Sequence, residues 1–550
     1  MPPQDDRDEA AVLGRGRAAA VGALAAGAAL AAGELAASLA APLPGPVYAV
    51  ANRVVDKAPA WFVAFGKNLF GLADKPALIA GTTALAVAIG AGLGLASRRR
   101  PRAARAGIGA FGLLGVAAVA ADAQGGWLGA VVVNAVAVAV GWAVLGLLHR
   151  RAARPFRDLM PPAATGDAPE HQIPPHRRRA VLAGTPIDPA VTRRSFLTAA
   201  GVVGAGAVVA GAAAGQLRAR SSARAARDAV TLAPGAGAGE VAAAVAEAEA
   251  SSVAATAGIS PLITPNREFY LIDTALLRPK VDPGNWSLRI TGLVDRELTL
   301  SYDDLLARAT TVAPVTLSCV SNEVGGTLVG NAVWQGVPLV DLLDEAGVRP
   351  GATQVASRSV DGWTCGFPTE AAYDGRTALV AVGMNGEPLP LDHGFPARLV
   401  VSGLYGYVSA TKWLSEIELT TFEAFDGYWI PRGWAKLGPV KTQSRIDTPR
   451  RGAEVAAGEV AVAGVAWAPH TGIAKVEVQV DEGPWREATL GDALGPDAWR
   501  QWVLAWSATP GRHTLRVRAT DASGTTQTDV QAPPVPDGAT GWHEVTVTVA

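Results

Sequence analysis

Thr316-Leu317-Ser318-Cys319-Val320-Ser321-Asn322-Glu323 sets one thiol at the end of an apolar run, and His393-Gly394-Phe395-Pro396-Ala397-Arg398 follows later in the chain. Cys319 is one of two cysteines among 550 residues. Two cysteines exclude a disulfide scaffold, a zinc finger and a cysteine-ligated iron–sulfur cluster. A thiolate is a soft ligand suited to molybdenum, copper or zinc, whereas a lone cysteine is more commonly a small buried hydrophobe. The weight given to Cys319 therefore depends on the rest of the chain. Charged residues make up 18% of it and hydrophobic residues 49%, against about 25% charged in a typical soluble domain. The shortfall excludes an ordinary cytosolic globule and a disordered chain. The 48 basic and 49 acidic residues leave a net charge of −1, which gives no reason to expect nucleic acid as a partner.

The apolar residues concentrate in 1–215, which reads as a membrane region. Five segments are long enough to span a bilayer: 18–41, 76–96, 103–121, 127–148 and 196–215. They are rich in Ala, Gly and Val, so the helices can approach closely in lipid. Glu34 is an intramembrane carboxylate, read either as a polar contact inside the bundle or as a residue near a helix end. The stretch 54–72, with Trp61, Phe62, Phe65, Phe70, Lys57 and Lys67, reads as an amphipathic helix lying at the interface. Basic residues set the expected topology. Arg98, Arg99, Arg100, Arg102 and Arg105 mark one cytoplasmic loop. Arg150, Arg151, Arg154, Arg157, Arg177, Arg178, Arg179, Arg193 and Arg194 mark another. Everything after residue 216 is then extracytoplasmic. Thr192-Arg193-Arg194-Ser195-Phe196-Leu197 before the last span resembles a twin-arginine export signal, which carries folded proteins; an arginine pair serving only the positive-inside rule is the simpler alternative.

Residues 216–258 read as a tether, partly helical. From 259 to 425 the composition turns to a mixed α+β domain, with a strand expected at 286–293, a capped helix at 301–308, and strands at 378–384 and 398–403. Residues 439–550 show strand-like runs at 458–466, 473–480, 501–506, 513–519 and 543–549, the spacing of an immunoglobulin-like β-sandwich.

Alongside Cys319 and the HGFPAR stretch stand Thr264-Pro265-Asn266-Arg267-Glu268-Phe269-Tyr270, Met384-Asn385-Gly386-Glu387-Pro388-Leu389 and Lys412-Trp413-Leu414. In this order they resemble the sulfite oxidase family of molybdopterin oxidoreductases, over roughly residues 255–550. The C-terminal segment resembles that family's dimerisation domain through Val476-Glu477-Val478, Trp485, Trp499, Trp502 and Arg518-Ala519-Thr520-Asp521. The resemblance implies one molybdopterin with molybdenum and makes Cys319 the metal thiolate. It implies that His393 and Arg398 contact the cofactor, that Gly406, Tyr407 and Val408 form the loop facing its phosphate, and that Asn266, Tyr270 and Leu271 border the pterin. Lys412 would add a point charge and Ser359 a hydroxyl contact. The plainer alternatives for the two cations are a surface ion pair for Arg398 and an exposed strand position for Lys412. A Cys319–Cys365 disulfide is the competing fate of the thiol.

Three departures bear on substrate. The family's sulfite-binding arginine falls at Ile272, and its active-site tyrosine falls at or near Trp434. Glu323-Val324 also stand where the family carries a basic pair. Losing cations removes favourable electrostatics for a dianion, so the expected reaction is oxygen-atom transfer on a small, less charged S- or N-oxo substrate. Sulfite oxidation proper is one alternative and a non-catalytic membrane-anchored scaffold is another. No haem-attachment C-x-x-C-H is present, and His149 is the only histidine in the expected bundle. The chain is therefore expected to lack its own haem and to exchange electrons with a separate carrier or a quinone. A homodimer through the C-terminal domain and a multi-pass cell-membrane location complete the expectation.

Overall fold

The structure is a computed structural model, and it describes residues 14–40, 43–59, 62, 65–66, 69–70, 73–152, 189–219 and 222–550. The expected basic loop residues Arg154, Arg157, Arg177, Arg178 and Arg179 lie outside these residues, as do Trp61 and Lys67 of the expected interfacial stretch. The chain divides into two compact units, Met1–Arg220 and Ser221–Ala550.

The first unit holds six helices among the described residues: α1 (Arg15–Leu39), α2 (Pro46–Lys57), α3 (Asp74–Ser97), α4 (Pro101–Ala120), α5 (Trp127–Ala152) and α6 (Pro189–Ala219). Five of these, all but α2, are long and apolar enough to cross a membrane. Arg193 and Arg194 fall inside α6, which starts earlier than the expected span. Glycine lets α1 and α3 meet, since a Cβ on Gly22 would lie 2.1 Å from Gly90 O. Glu34 has a structural partner: its carboxylate accepts the Val47 N–H at 3.0 Å. It thereby satisfies an orphan donor in the first turn of α2.

The second unit begins with α7 (Ser222–Ala229) and α8 (Ala238–Glu249). The stretch expected as a tether runs along the sheets from here. Arg227 pairs with Glu387 at 2.8 Å, and Gln335 Nε2 donates to Ala233 O at 2.7 Å. The α+β region follows. Its strands are β1 (Ser287–Gly292), β2 (Leu298–Ser301), β3 (Thr311–Ser318), β4 (Val329–Pro338), β5 (Gln354–Ser359), β6 (Thr364–Pro368), β7 (Ala378–Met384), β8 (Glu387–Pro388), β9 (Arg398–Val401) and β10 (Leu414–Thr420). They form two sheets. One runs β2-β1-β10-β5-β6, with β1 and β10 parallel. The other runs β3-β4-β7-β8, with β9 on the side of β7. Two helices, α9 (Tyr302–Arg308) and α10 (Leu339–Ala346), pack on a shared core that includes Leu288, Leu305, Leu317, Trp334, Val380 and Leu399. The helix α9, expected as a capped helix, begins with a capping box: Ser301 Oγ accepts from Asp304 N, and the Asp304 carboxylate accepts from Ser301 N at 2.9 Å.

From residue 443 the chain builds nine further strands: β11 (Gln443–Thr448), β12 (Glu454–Val455), β13 (Gly458–Trp467), β14 (Ile473–Val480), β15 (Arg486–Glu487), β16 (Thr489–Leu490), β17 (Arg500–Ala508), β18 (Gly511–Asp521) and β19 (His543–Val549). The sheets β11-β13-β17-β16 and β12-β19-β18-β14-β15 share a core around Val462, Val476, Trp502, Val517 and Val547. Alternating burial along β14 and β18 is the period-two pattern of strands with one face in a core.

Candidate active site

Strand ends and the loops beside them build the site. Strand β3 stops at Ser318 and the chain turns at Cys319. The Cys319 amide donates to Leu328 O at 2.9 Å, and its carbonyl accepts from Asn322 N at 3.0 Å. Cys319 is 9% exposed, and neither cysteine forms a disulfide. The alternative Cys319–Cys365 bridge is corrected on this point. Cys365 belongs to β6, 3.3 Å from Ser357 Oγ and 3.1 Å from Thr411 Oγ1, and burial pushes its thiol up to about 11. It stays a protonated core thiol, while Cys319 sits where the strands end.

Tyr270 lies within electrostatic reach of both Cys319 and Arg398. Burial holds the Tyr270 phenol far above its ordinary value; the charge of Cys319 adds to this and that of Arg398 opposes it. The phenol therefore keeps its proton and offers a hydrogen-bond donor. Gly406 opens a four-residue helix, α11 (Gly406–Ser409), and a Cβ there would lie 4.0 Å from both Tyr270 Oη and Ser318 O. A second phenol, Tyr405, is raised to about 12, by burial first and with Cys319 among the smaller causes.

Arg398 opens β9 and is 5% exposed. Its guanidinium donates to His393 O at 3.2 Å and to Leu399 O at 3.3 Å, and lies 5.0 Å from the Trp334 ring centroid. No carboxylate among the described residues forms an ion pair with it. Burial pulls it down to about 10. A buried charge without an opposite partner is costly, so this cation suits a site that receives an anion. His393 is also buried. Its Nε2 is 2.8 Å from Asn266 O, and because a carbonyl only accepts, that nitrogen carries the proton. Burial brings the imidazole down to about 4, so it stays neutral. Gly394 lets these groups crowd: at φ +113° it takes a backbone conformation open to glycine, and a Cβ there would meet Lys412 Cα at 3.1 Å and Arg398 Cβ at 3.2 Å.

Lys412 crowds the same glycine. Its Nζ donates to Asp273 Oδ2 at 2.8 Å and to Asp392 O at 3.1 Å, and lies 4.7 Å from the Trp413 ring centroid. Burial lowers it to about 8, with Asp273 opposing. Arg278 reaches the same Asp273 oxygen at 3.2 Å. Ser359 ends β5 and begins a turn to Asp361, whose carboxyl burial pushes up while Ser359, Trp363 N–H and Lys412 oppose.

The remaining expected residues have less direct places. The Asn266 amide donates to Glu387 at 2.5 Å and accepts from Asn385 at 2.8 Å, so its side chain holds its own segment while its carbonyl orients His393. Leu271 is 39% exposed. Tyr407 and Val408 are buried in α11, with Tyr407 Oη donating to Ala435 O at 2.6 Å. Trp434 packs 5.7 Å from Tyr407 and 6.3 Å from Trp429, centroid to centroid. Sequence reading missed Asp273, Asp361, Tyr405 and Trp334. Asp273 could have been flagged as the only acid in Tyr270-Leu271-Ile272-Asp273-Thr274; nothing in the sequence pairs it with Lys412.

The family described as "Oxidoreductase molybdopterin binding domain" matches residues 275–429. The chain is 32% identical over 320 residues to mitochondrial sulfite oxidase of Mus musculus, covering 49% of this chain and 58% of that protein. It is 30% identical over 322 residues to sulfite oxidase of Gallus gallus, covering 49% and 69% respectively. It is 37% identical over 157 residues to an uncharacterized oxidoreductase, YuiH, of Bacillus subtilis (strain 168), covering 28% of this chain and 76% of that protein. Among solved structures it is similar to the sulfane dehydrogenase SoxCD of Paracoccus pantotrophus, with TM-score 0.43, 26% identity, and coverage of 49% of this chain and 75% of that one. The chain thus spans 58% of the length of the mouse relative. A buried thiol outside any disulfide, a buried guanidinium without an acidic partner and a neutral imidazole are a donor set that fits an anionic pterin carrying a thiolate-bound metal.

Proposed function

The chain belongs to the sulfite oxidase family of molybdopterin oxidoreductases, and from that premise we propose a membrane-anchored, extracytoplasmic enzyme of oxygen-atom transfer acting on a small S- or N-oxo substrate. When bound, molybdopterin with molybdenum supplies the oxygen-atom and two-electron chemistry. The residues of this chain bind and orient around it. Cys319 contributes the thiolate. The Arg398 guanidinium offers a rigid, permanently charged fork to an anionic oxygen. Neutral His393, fixed by Asn266 O, presents Nδ1 as an acceptor. Tyr270 holds a protonated phenol beside the thiolate, a donor aimed at the region where a substrate oxygen carries charge. Ser359, Lys412 and the Gly406–Val408 turn take the polar tail of the pterin, and Leu271 and Trp434 border the entrance.

The observation that carries this reading is a buried thiol outside any disulfide, in the same core region as a buried guanidinium whose hydrogen bonds go to backbone carbonyls. Metal analysis of the purified full chain tests it: the expected result is about one molybdenum per chain by mass action at a tight site, and a protein free of molybdenum overturns it. Sulfite oxidation proper is the second reading, favoured by the names of the relatives. Against it, Ile272 is an aliphatic residue, 43% exposed, in the segment that follows Tyr270.

Placement rests on the five apolar helices and on the arginine distribution, and the C-terminal sheets are read as an immunoglobulin-like dimerisation domain. Electrons pass to or from a separate carrier or a quinone. Arg193→Lys/Arg194→Lys keeps the positive charge, so loss of export in this variant, read with a reporter fused after residue 216, distinguishes a twin-arginine signal from a topological one. Normal export would leave only the latter.

A further inference from the structure

Gly495-Pro496-Asp497-Ala498-Trp499 leads into β17 of the C-terminal sheets, yet its polar groups are spent on the oxidoreductase strands. The Asp497 carbonyl accepts the Thr316 N–H at 2.9 Å. The Trp499 N–H returns to Thr316 Oγ1 at 2.7 Å, and that hydroxyl donates to the buried Asn331 Oδ1 at 3.0 Å. Thr316 stands three residues before Cys319 in β3. The two Asp497 carboxylate oxygens reach two further strand ends. Oδ2 accepts Thr377 Oγ1 at 2.5 Å just before β7, and Oδ1 accepts Ser402 Oγ at 2.5 Å just after β9. Ser402 begins the turn that carries Tyr405 and Gly406 to the site. The next residue, Gly403, is closed in by the same region, since a Cβ there would lie 3.0 Å from His470 Cβ and from Pro469 O.

We propose that Asp497 is a positioning residue for the active site: its backbone carbonyl holds β3 three residues before Cys319, while its carboxylate clamps the start of β7 to the end of β9, from which the Gly406 turn departs. The inference rests on reading Cys319 as the metal thiolate. The arrangement differs from ordinary packing between two regions. A carboxylate accepting hydroxyl and amide donors makes charge-assisted bonds, which are shorter and stronger than neutral ones. All of the donors lie within a few residues of a strand end that borders the site. A side chain that holds reacting groups in register acts on rate through geometry, and a displacement of about 1 Å far from the chemistry can cost about 10²-fold.

The test uses the full chain with its native cofactor and compares Asp497→Asn, Thr377→Val and Val517→Ala. The last removes bulk from the C-terminal core and touches none of these bonds. Three quantities are read: the thiolate-to-metal optical band with the Mo(V) paramagnetic resonance spectrum, kcat and KM separately, and the rate of Cys319 alkylation in cofactor-free protein by peptide mass spectrometry. The expected result for Asp497→Asn is a shifted metal signature, kcat down about 10²-fold with KM little changed, and faster Cys319 alkylation. Thr377→Val should move the same readouts in the same direction by less, and decides the matter alone if Asp497→Asn does not fold. Val517→Ala should lower thermal stability without moving the signature. A folded Asp497→Asn or Thr377→Val with the unmodified protein's signature, kcat and alkylation rate overturns the proposal, as does an equal shift in Val517→Ala. If the unmodified protein carries no molybdenum, the functional reading fails, and the alkylation rates still decide whether Asp497 positions Cys319.

Discussion

Arg398 and Lys412 both crowd Gly394, and the protein treats the two cations differently. Arg398 is buried over Trp334 with backbone carbonyls for partners and no acid among the described residues. Lys412 is buried as well, but Asp273 meets it at 2.8 Å. The first cation is held charged for an incoming anion; the second is partly offset by Asp273 and is brought down to about 8 by burial. The difference teaches that the Cys319 corner offers its whole cation to an anion, whereas the Lys412 corner shares its charge with a carboxylate of the chain. The segment Tyr270–Asp273 connects the two, with its phenol at one corner and its carboxylate at the other.

The largest expected effect belongs to the Cys319 corner. Cys319→Ser barely changes volume, so the fold should survive while oxygen-atom transfer to a model acceptor disappears; retained turnover would break the thiolate assignment. Arg398→Met comes next. Removing one partner of a buried, hydrogen-bonded charge costs about 2–5 kcal/mol, equivalent to about one to four decades of affinity. Cofactor retention on dialysis, followed as molybdenum content, should fall by that amount. Were Lys412→Met to lose as much as Arg398→Met, the contrast between the corners would be wrong.

Lys412 should show a smaller, pH-dependent effect. In the folded chain it titrates near 8, below its ordinary value, so its charge is present below that pH and is lost as pH rises through it. Retention of an anionic group should weaken above about pH 8, and Lys412→Arg should flatten the profile because arginine stays charged. The sign for folding is opposite. An unfolded lysine still binds its proton between pH 8 and its ordinary value, so this group makes the cofactor-free fold more stable across that window as pH rises. Equilibrium unfolding of cofactor-free protein at several pH values checks it. The smallest effect is expected from Ile272→Arg, which places a cation between the corners. At 43% exposure its charge is screened and is worth up to about 1 kcal/mol, roughly fivefold in kcat/KM for sulfite. Steady-state kinetics across sulfite and a sulfoxide panel reads it, and efficient low-KM sulfite oxidation by the unmodified protein would overturn the preference for a less charged substrate.

The elements were largely legible from period and punctuation. The strands Ala378–Met384, Ile473–Val480 and His543–Val549 begin and end where the apolar pattern places them. The capped helix expected at 301–308 is α9, because an N-cap is local chemistry. The five apolar helices follow from length and composition alone. In the site, the residue types and their order pointed to Cys319, His393, Arg398 and Lys412. Their environments could not be read, because burial and charge partners are set by strands far apart in the chain. Asp273 and Lys412 are separated by 139 positions and still share a proton-bearing contact.

What the sequence by itself determined is the inventory: a run of apolar spans, a sheet-forming region with one well-placed thiol and two cations, and a second set of short strands. Periodicity and side-chain chemistry are enough for that, since each acts within a few residues. What only the tertiary structure decided is which of these charges is compensated, that Cys365 is a core thiol and not a partner for Cys319, and that Asp497 from the C-terminal region reaches the strand ends beneath the site. Those facts depend on through-space contacts in a low-dielectric interior, where an ångström or a single opposite charge decides whether a group stays ionised.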